Sequence, residues 1–216
     1  KEIVPDAQLG IAHTRWATHG VPSEVNAHPH LSQSGNITLV HNGIIENYTH
    51  LKNTLKKRGY KFVSETDTEV LANLIESIYL ENKLSAENAV RLALTKVIGA
   101  YGLVVLCVDE PDKIIGSRKG SPLVVGVGNG EYYLASDATP IVEYTDRMIY
   151  LNDEELVVLS AQGLRVTTLD DVQKNPTITH VDINIDNIDK GDFEHFMLKE
   201  IYEQPTSIYD TFRGRV

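Results

Sequence analysis

Cysteine is nearly missing from this sequence, with Cys107 alone among 216 residues. One thiol cannot close an internal disulfide, so a reducing, cytoplasmic setting is expected and oxidising secretion is not supported. Long apolar runs are missing too, none approaching the roughly 20 residues that cross a bilayer, so a soluble chain without a membrane partner is expected. Basic residues are few: 20 Lys and Arg face 30 Asp and Glu, for a formal net charge of -10. Phosphate-backbone surfaces need clustered Lys and Arg, so nucleic acid is excluded as an expected partner. The opening residues, Lys1 to Asp6, contain neither an initiator Met nor the apolar centre of a signal peptide. The expectation is a chain that starts inside a longer gene product.

What is present reads as one domain of ordinary globular composition with a trailing segment. Gly10 to Arg15 and Ile37 to His41 have the β-branched, Gly- or Asn-flanked character of short strands. From Ile44 to about Arg58, the apolar residues Ile44, Ile45, Tyr48, Leu51 and Leu55 recur at helical steps, and Gly59 follows where a left-handed cap would sit. Thr66-Asp67-Thr68-Glu69 has the form of a capping box opening a second helix. Ser85 with Glu87 opens a third, with Ala89, Leu92, Ala93 and Val97 as its apolar stripe.

Seven strand-like stretches come next: Tyr101 to Val108, Lys113 to Ser117, Leu123 to Val127, Glu131 to Ala135, Met148 to Leu151, Glu155 to Leu159 and Leu164 to Thr168. Turn dipeptides such as Asn129-Gly130 and Gln162-Gly163 break them, which suggests successive antiparallel hairpins. Grouped helices followed by a run of hairpins imply an α+β layered domain rather than alternating βαβ units. Residues 172–191 turn acidic and lose periodicity, reading as an exit linker, and Phe196 to Pro205 reads as a short helix.

Special residues crowd one region. Arg15-Trp16-Ala17-Thr18-His19-Gly20, Asn26-Ala27-His28-Pro29-His30 and His41-Asn42-Gly43 lie close in sequence, and five of the eight histidines fall between His13 and His41. His28 and His30 could chelate a metal from one loop, but no HExxH or CxxC pairing accompanies them, and no metal is expected. His41-Asn42-Gly43 has a structural reading as a turn that exploits Gly. Its functional reading is an oxyanion site made by the Asn42 amide and the Gly43 N–H, which points to acyl transfer. Arg15 could clamp a carboxylate and Asp67 hold an ammonium; taken singly, they are equally a surface ion-pair partner and a favourable first-turn charge. Trp16, Thr18 and His19 are open to packing and backbone-capping roles. Cys107 sits in an apolar strand with no cation beside it, so an inert buried thiol is expected.

Read in order, Arg15-Trp16-Ala17-Thr18-His19-Gly20, Asn26 to His30, His41-Asn42-Gly43-Ile44-Ile45-Glu46-Asn47, Ser64-Glu65-Thr66-Asp67-Thr68-Glu69 and Lys199-Glu200-Ile201-Tyr202-Glu203-Gln204-Pro205 resemble the isomerising glutamine–fructose-6-phosphate aminotransferases. That resemblance implies an N-terminal nucleophile hydrolase-type αββα sandwich, in which a terminal cysteine attacks the glutamine amide. Ammonia then passes to a sugar isomerase domain that binds fructose-6-phosphate, yielding glucosamine-6-phosphate and glutamate in amino-sugar biosynthesis. It further implies Asn42 and Gly43 as the oxyanion hole, Arg15 and Asp67 as the grips on the two ends of glutamine, Thr18 and His19 as a pocket loop, and Trp16 as the gate of the ammonia path. No cofactor is implied, and the full-length protein is expected to be a cytoplasmic homo-oligomer.

The family opens with Cys-Gly-Ile and a further strand, and nothing of the kind precedes Lys1. The expectation is therefore an N-terminally truncated domain over residues 1–190, inactive alone, with an exposed sheet edge and an unfilled core. Residues 191–216 would be a linker toward an absent isomerase domain. The alternatives are another class II amidotransferase and a catalytically dead amino-acid-binding module.

Overall fold

The structure is a computed structural model that describes residues 8–15, 20–181 and 191–212. Trp16, Thr18, His19, the opening residues and part of the acidic stretch lie outside the described residues. The chain divides into two compact units, Lys1–Val181 and Asp182–Val216.

In the first unit the elements run β1 His30–Leu31, β2 Ile37–Ile45, α1 Tyr48–Lys57, α2 Asp67–Asn82, α3 Ala86–Leu94, β3 Gly99–Cys107, β4 Lys113–Lys119, β5 Val124–Val127, β6 Tyr132–Ala135, β7 Arg147–Tyr150, β8 Glu155–Ser160, β9 Gly163–Thr168, β10 Gln173–Lys174 and β11 Thr179–His180. They form a seven-stranded sheet, β1-β2-β3-β4-β8-β9-β10, and a four-stranded sheet, β11-β7-β5-β6. Every ladder between these strands is antiparallel.

Period-two alternation divides the large sheet between two cores. Ile37, Leu39, Leu103, Val105, Leu156 and Val158 face the helices, whose Leu55, Val70, Leu71, Ile75, Ala89 and Val90 meet them. Val40, Val104, Val157 and Leu159 face the small sheet, meeting Val125 and Ile149. The layers are helices, sheet and sheet; over the outer face of the small sheet lies a turn at residues 138–145, whose Ile141 packs against Gly126.

Two helix starts follow the sequence. The Thr66 hydroxyl accepts the Glu69 N–H at 3.2 Å, and the Ser85 hydroxyl accepts that of Asn88 at 3.4 Å. The capping box is only half formed, because the Glu69 carboxylate reaches back to the N–H groups of Val63 and Ser64 at 2.9 and 2.8 Å. Gly59, at φ 93°, occupies the left-handed position expected of it.

Three expectations change. Ile44 and Ile45 belong to β2, pairing with Ala100 and Gly99, and α1 begins only at Tyr48. Their apolar spacing suits a helix equally well, and strand pairing with β3 decides the outcome. Residues 10–15 form no ladder among the described residues. Their pattern reports an extended chain but not a partner for it. Leu92 is exposed, and Val90 and Leu94 complete the buried face of α3 instead. The hairpin expectation holds for β3-β4, β5-β6 and β8-β9, whereas the chain changes sheet between β4 and β5 and again between β7 and β8.

In the second unit, α4 spans Phe196–Phe212 and continues through Pro205, beyond the expected short helix. Phe193 stacks on Tyr202 with ring centroids 5.6 Å apart. No helix among the described residues is long and apolar enough to cross a membrane.

Candidate amino-acid binding site

β2 changes its surroundings partway along. Residues Thr38 and Leu39 have β1 on one side, but from His41 to Ile45 only β3 pairs with the strand. The opposite edge of this stretch faces the start of α2, and the Ile45 N–H donates to Asp67 Oδ2 at 2.8 Å. Strand N–H groups two residues apart point to the same side, so the Gly43 N–H also faces that edge.

Gly43 adopts φ 134°, and a Cβ there would lie 2.1 Å from the Ala100 carbonyl oxygen. Glycine is required by that approach. The partner strand mirrors the arrangement, since a Cβ on Gly99, at φ 129°, would lie 2.1 Å from the Ile44 carbonyl oxygen.

A cavity of about 180 Å³ opens at this edge, lined by His13, Thr14, Arg15, His28, His41, Asn42, Gly43, and Thr66 to Thr68. It is smaller than the roughly 300–1,000 Å³ of drug-sized pockets and suits a single small molecule. A guanidinium, a carboxylate, a carboxamide and a strand-edge N–H therefore surround one small space. Of the residues singled out in the sequence, Arg15, Asn42, Gly43 and Asp67 meet here.

The surrounding loop is held by polar contacts. Arg15 donates to the carbonyls of Gly20 and Val21, each at 3.3 Å. Buried Asn26 donates to the Val21 carbonyl at 3.0 Å and accepts the Glu65 N–H at 2.9 Å, tying the loop to the entry of α2. Thr66 Oγ1 and His30 Nε2 are 3.0 Å apart.

Histidine spacing in the sequence raises metal binding as one reading, yet in the structure the rings engage each other and neighbouring hydroxyls. His13 Nε2 lies 2.6 Å from Asn42 Oδ1, and His13 Nδ1 lies 3.0 Å from His28 Nδ1. His28 Nε2 and His41 Nδ1 both reach Thr68 Oγ1, each at 3.1 Å. Among the described residues, no group of three or more His, Cys, Asp or Glu is arranged to hold a metal ion. Burial, reinforced by the neighbouring His13, His30, His41 and Arg15, pushes the His28 pKa down to about 3. Burial also lowers that of His30.

Sequence reasoning missed His13 and Thr68 as parts of this site. The crowding of histidines was a signal, but it did not say which rings would touch. Cys107 is buried in β3, where burial pushes its thiol pKa up, and it is not part of the cavity lining.

The fold is that of the class II amidotransferases of the N-terminal nucleophile hydrolase type. Residues 1–193 match the glutamine amidotransferase domain, and the chain belongs to that family. Over 211 residues it is 54% identical to a glutamine–fructose-6-phosphate aminotransferase (isomerising) of Chlorobaculum tepidum, covering 97% of this chain and 34% of that protein. It is 53% identical to the protein of the same name in Bacteroides thetaiotaomicron, covering 96% and 34%. The chain thus spans about a third of the length of the curated relatives it matches. Among solved structures, the glutamine phosphoribosylpyrophosphate amidotransferase of B. subtilis superposes with a TM-score of 0.61 at 25% identity, over 73% of this chain and 34% of that one.

Proposed function

We propose that this chain is the glutamine-binding part of an isomerising glutamine–fructose-6-phosphate aminotransferase, with residues 1–190 as the glutaminase domain and 191–216 as a linker to a sugar isomerase domain. The observation that carries this reading is the convergence of Arg15, Asp67, Asn42 and Gly43 on one small cavity. In this reading Arg15 clamps the glutamine α-carboxylate through parallel charge-assisted bonds, and Asp67 holds the α-ammonium. The side-chain amide then lies toward Asn42 and Gly43.

When a thiolate attacks that amide carbon, negative charge gathers on its oxygen, where the Asn42 carboxamide and the Gly43 N–H stabilise it. The amide nitrogen takes up a proton and leaves as ammonia, and water hydrolyses the remaining thioester to glutamate. Buried Cys107 is the one cysteine in these 216 residues and is not part of the cavity lining, so the attacking thiol is assigned to sequence outside them. The chain by itself binds glutamine without cleaving it. Trp16 as the ammonia gate, Thr18 and His19 as the pocket loop, transfer of ammonia to fructose-6-phosphate, and a cytoplasmic homo-oligomeric full-length protein belong to the same proposal, supported by the family match and the relatives' names.

Replacing Asn42 with Ala in the full-length protein is expected to slow glutamine hydrolysis about a hundredfold or more. An unchanged rate would sink the assignment. Calorimetry on this chain adds a second check: glutamine binding without hydrolysis is expected. Another class II amidotransferase is the competing reading, favoured by the phosphoribosylpyrophosphate enzyme's superposition; the much higher identity to the aminotransferases weighs against it.

A further inference from the structure

We propose that His41, Thr68, His28 and His13 form a one-way hydrogen-bond chain that wraps the edge of β2 and locks the Asn42 carboxamide with Oδ1 toward His13 and Nδ2 toward the cavity. This deepens the functional proposal above and rests on its reading of Asn42 as the oxyanion donor.

The chain starts and ends on the same strand. Alternation along β2 puts His41 and Asn42 on opposite faces of the sheet. From His41 Nδ1 the contacts run to Thr68 Oγ1 at 3.1 Å, from that hydroxyl to His28 Nε2 at 3.1 Å, from His28 Nδ1 to His13 Nδ1 at 3.0 Å, and from His13 Nε2 to Asn42 Oδ1 at 2.6 Å. Four links thus join the two faces around the strand's unpaired edge.

Proton counting leaves two self-consistent directions. Where the Thr68 proton stays within the chain, its hydroxyl donates to one ring and accepts from the other, and a neutral imidazole donates from one nitrogen only. His28 is neutral at physiological pH, as burial among three other imidazoles and Arg15 requires. In the first direction His41 donates to Thr68, Thr68 to His28, His28 to His13, and His13 through Nε2–H to Asn42 Oδ1.

The second direction reverses every proton. His13 Nε2 then carries a lone pair, Asn42 must turn its NH₂ to it, and the carbonyl oxygen faces the cavity. That carbonyl would repel a developing oxyanion where the first direction stabilises it. The observed contact of Asn42 Oδ1 with His13 is that of the first direction. Which end of the carboxamide faces the substrate is therefore coupled to the direction of the Thr68 hydroxyl, three links away. His13, His28, Thr68 and His41 are positioning residues.

Histidine tautomers test this directly, in the full-length protein labelled with ¹⁵N-histidine and assigned through single His→Gln variants. Long-range nitrogen–proton correlation at neutral pH is expected to show His28 protonated at Nδ1 and His13 at Nε2. The opposite tautomers, or a doubly protonated His13, overturn the proposal. In kinetics, Thr68→Val removes the hydroxyl at constant shape and Thr68→Ser keeps it. Misaligning rather than deleting the donor is expected to lower kcat for glutamine hydrolysis about tenfold in Thr68→Val with KM nearly unchanged, and Thr68→Ser is expected to restore it.

A wild-type kcat in folded Thr68→Val overturns the proposal. Should that variant fail to fold, the tautomers of the unsubstituted protein still decide. Asn42→Ala separates the two claims: if it hydrolyses glutamine normally, the oxyanion reading fails on its own, whereas a slowed Asn42→Ala beside an unaffected Thr68→Val removes only the chain.

Discussion

Helix α2 carries two sets of buried polar side chains that behave differently. Glu69 and Glu76 are used up inside the fold. Glu69 takes the N–H groups of Val63 and Ser64 and the Ser64 hydroxyl, and Glu76 takes the hydroxyls of Ser32 and Ser34. Asp67 and Thr68, on the same first turn as Glu69, end on the cavity, and their partners are Ile45 at the strand edge and the histidine chain. One short stretch of helix therefore holds both an anchor for the loop that precedes it and part of the cavity lining.

Glu69→Ala tests the anchor side and has the largest expected effect on folding. It leaves the buried Ser64 N–H and hydroxyl without their carboxylate, at about 1–3 kcal/mol each, so stability in denaturant is expected to fall by about 2 kcal/mol or more. Glutamine affinity below the unfolding transition is expected to stay close to that of the parent. A large loss of affinity with little loss of stability would erase the distinction.

Arg15→Lys tests the site side. It keeps the charge but loses the two-pronged geometry, so glutamine binding by calorimetry is expected to weaken about tenfold or more, with stability changing far less. Equal affinity would remove Arg15 from the carboxylate clamp.

A last test is a pH slope tied to His28 on the site side. The His28 pKa falls from its ordinary 6.5 to about 3 on folding. Below pH 6.5 the unfolded chain takes up a proton that the folded ring does not. This contribution is therefore complete above pH 6.5 and declines as pH drops toward 3, by at most about 1.4 kcal/mol per pH unit for that proton. Denaturation between pH 7 and 4 is expected to show a shallower slope in His28→Gln than in the parent. Identical slopes would refute the assignment to His28.

Local chemistry was readable from the sequence where it acts within a few residues. Thr66 and Ser85 open their helices as their types require, and Gly59 follows α1 in the left-handed region. Ile44 and Ile45 misled because their spacing fits a helix, while the β3 backbone that claims them lies more than fifty residues downstream. In the site, the resemblance named Arg15, Asn42, Gly43 and Asp67, and the fold brings those four to one cavity. The histidine chain was not legible. Its links join residues 15 to 40 positions apart, and which nitrogen faces which partner is set by tertiary placement alone.

Gly43 and Gly99 each leave room for a backbone carbonyl of the neighbouring strand, of Ala100 in one case and Ile44 in the other. Collisions between side chains can often be relieved by shrinking the neighbour, because every residue type offers a smaller one. A carbonyl oxygen is common to all twenty amino acids. No second-site side-chain change can make space for a methyl group at either position, so these two glycines have no partner through which they could drift, and the strand crossing beside Asn42 is fixed by backbone alone.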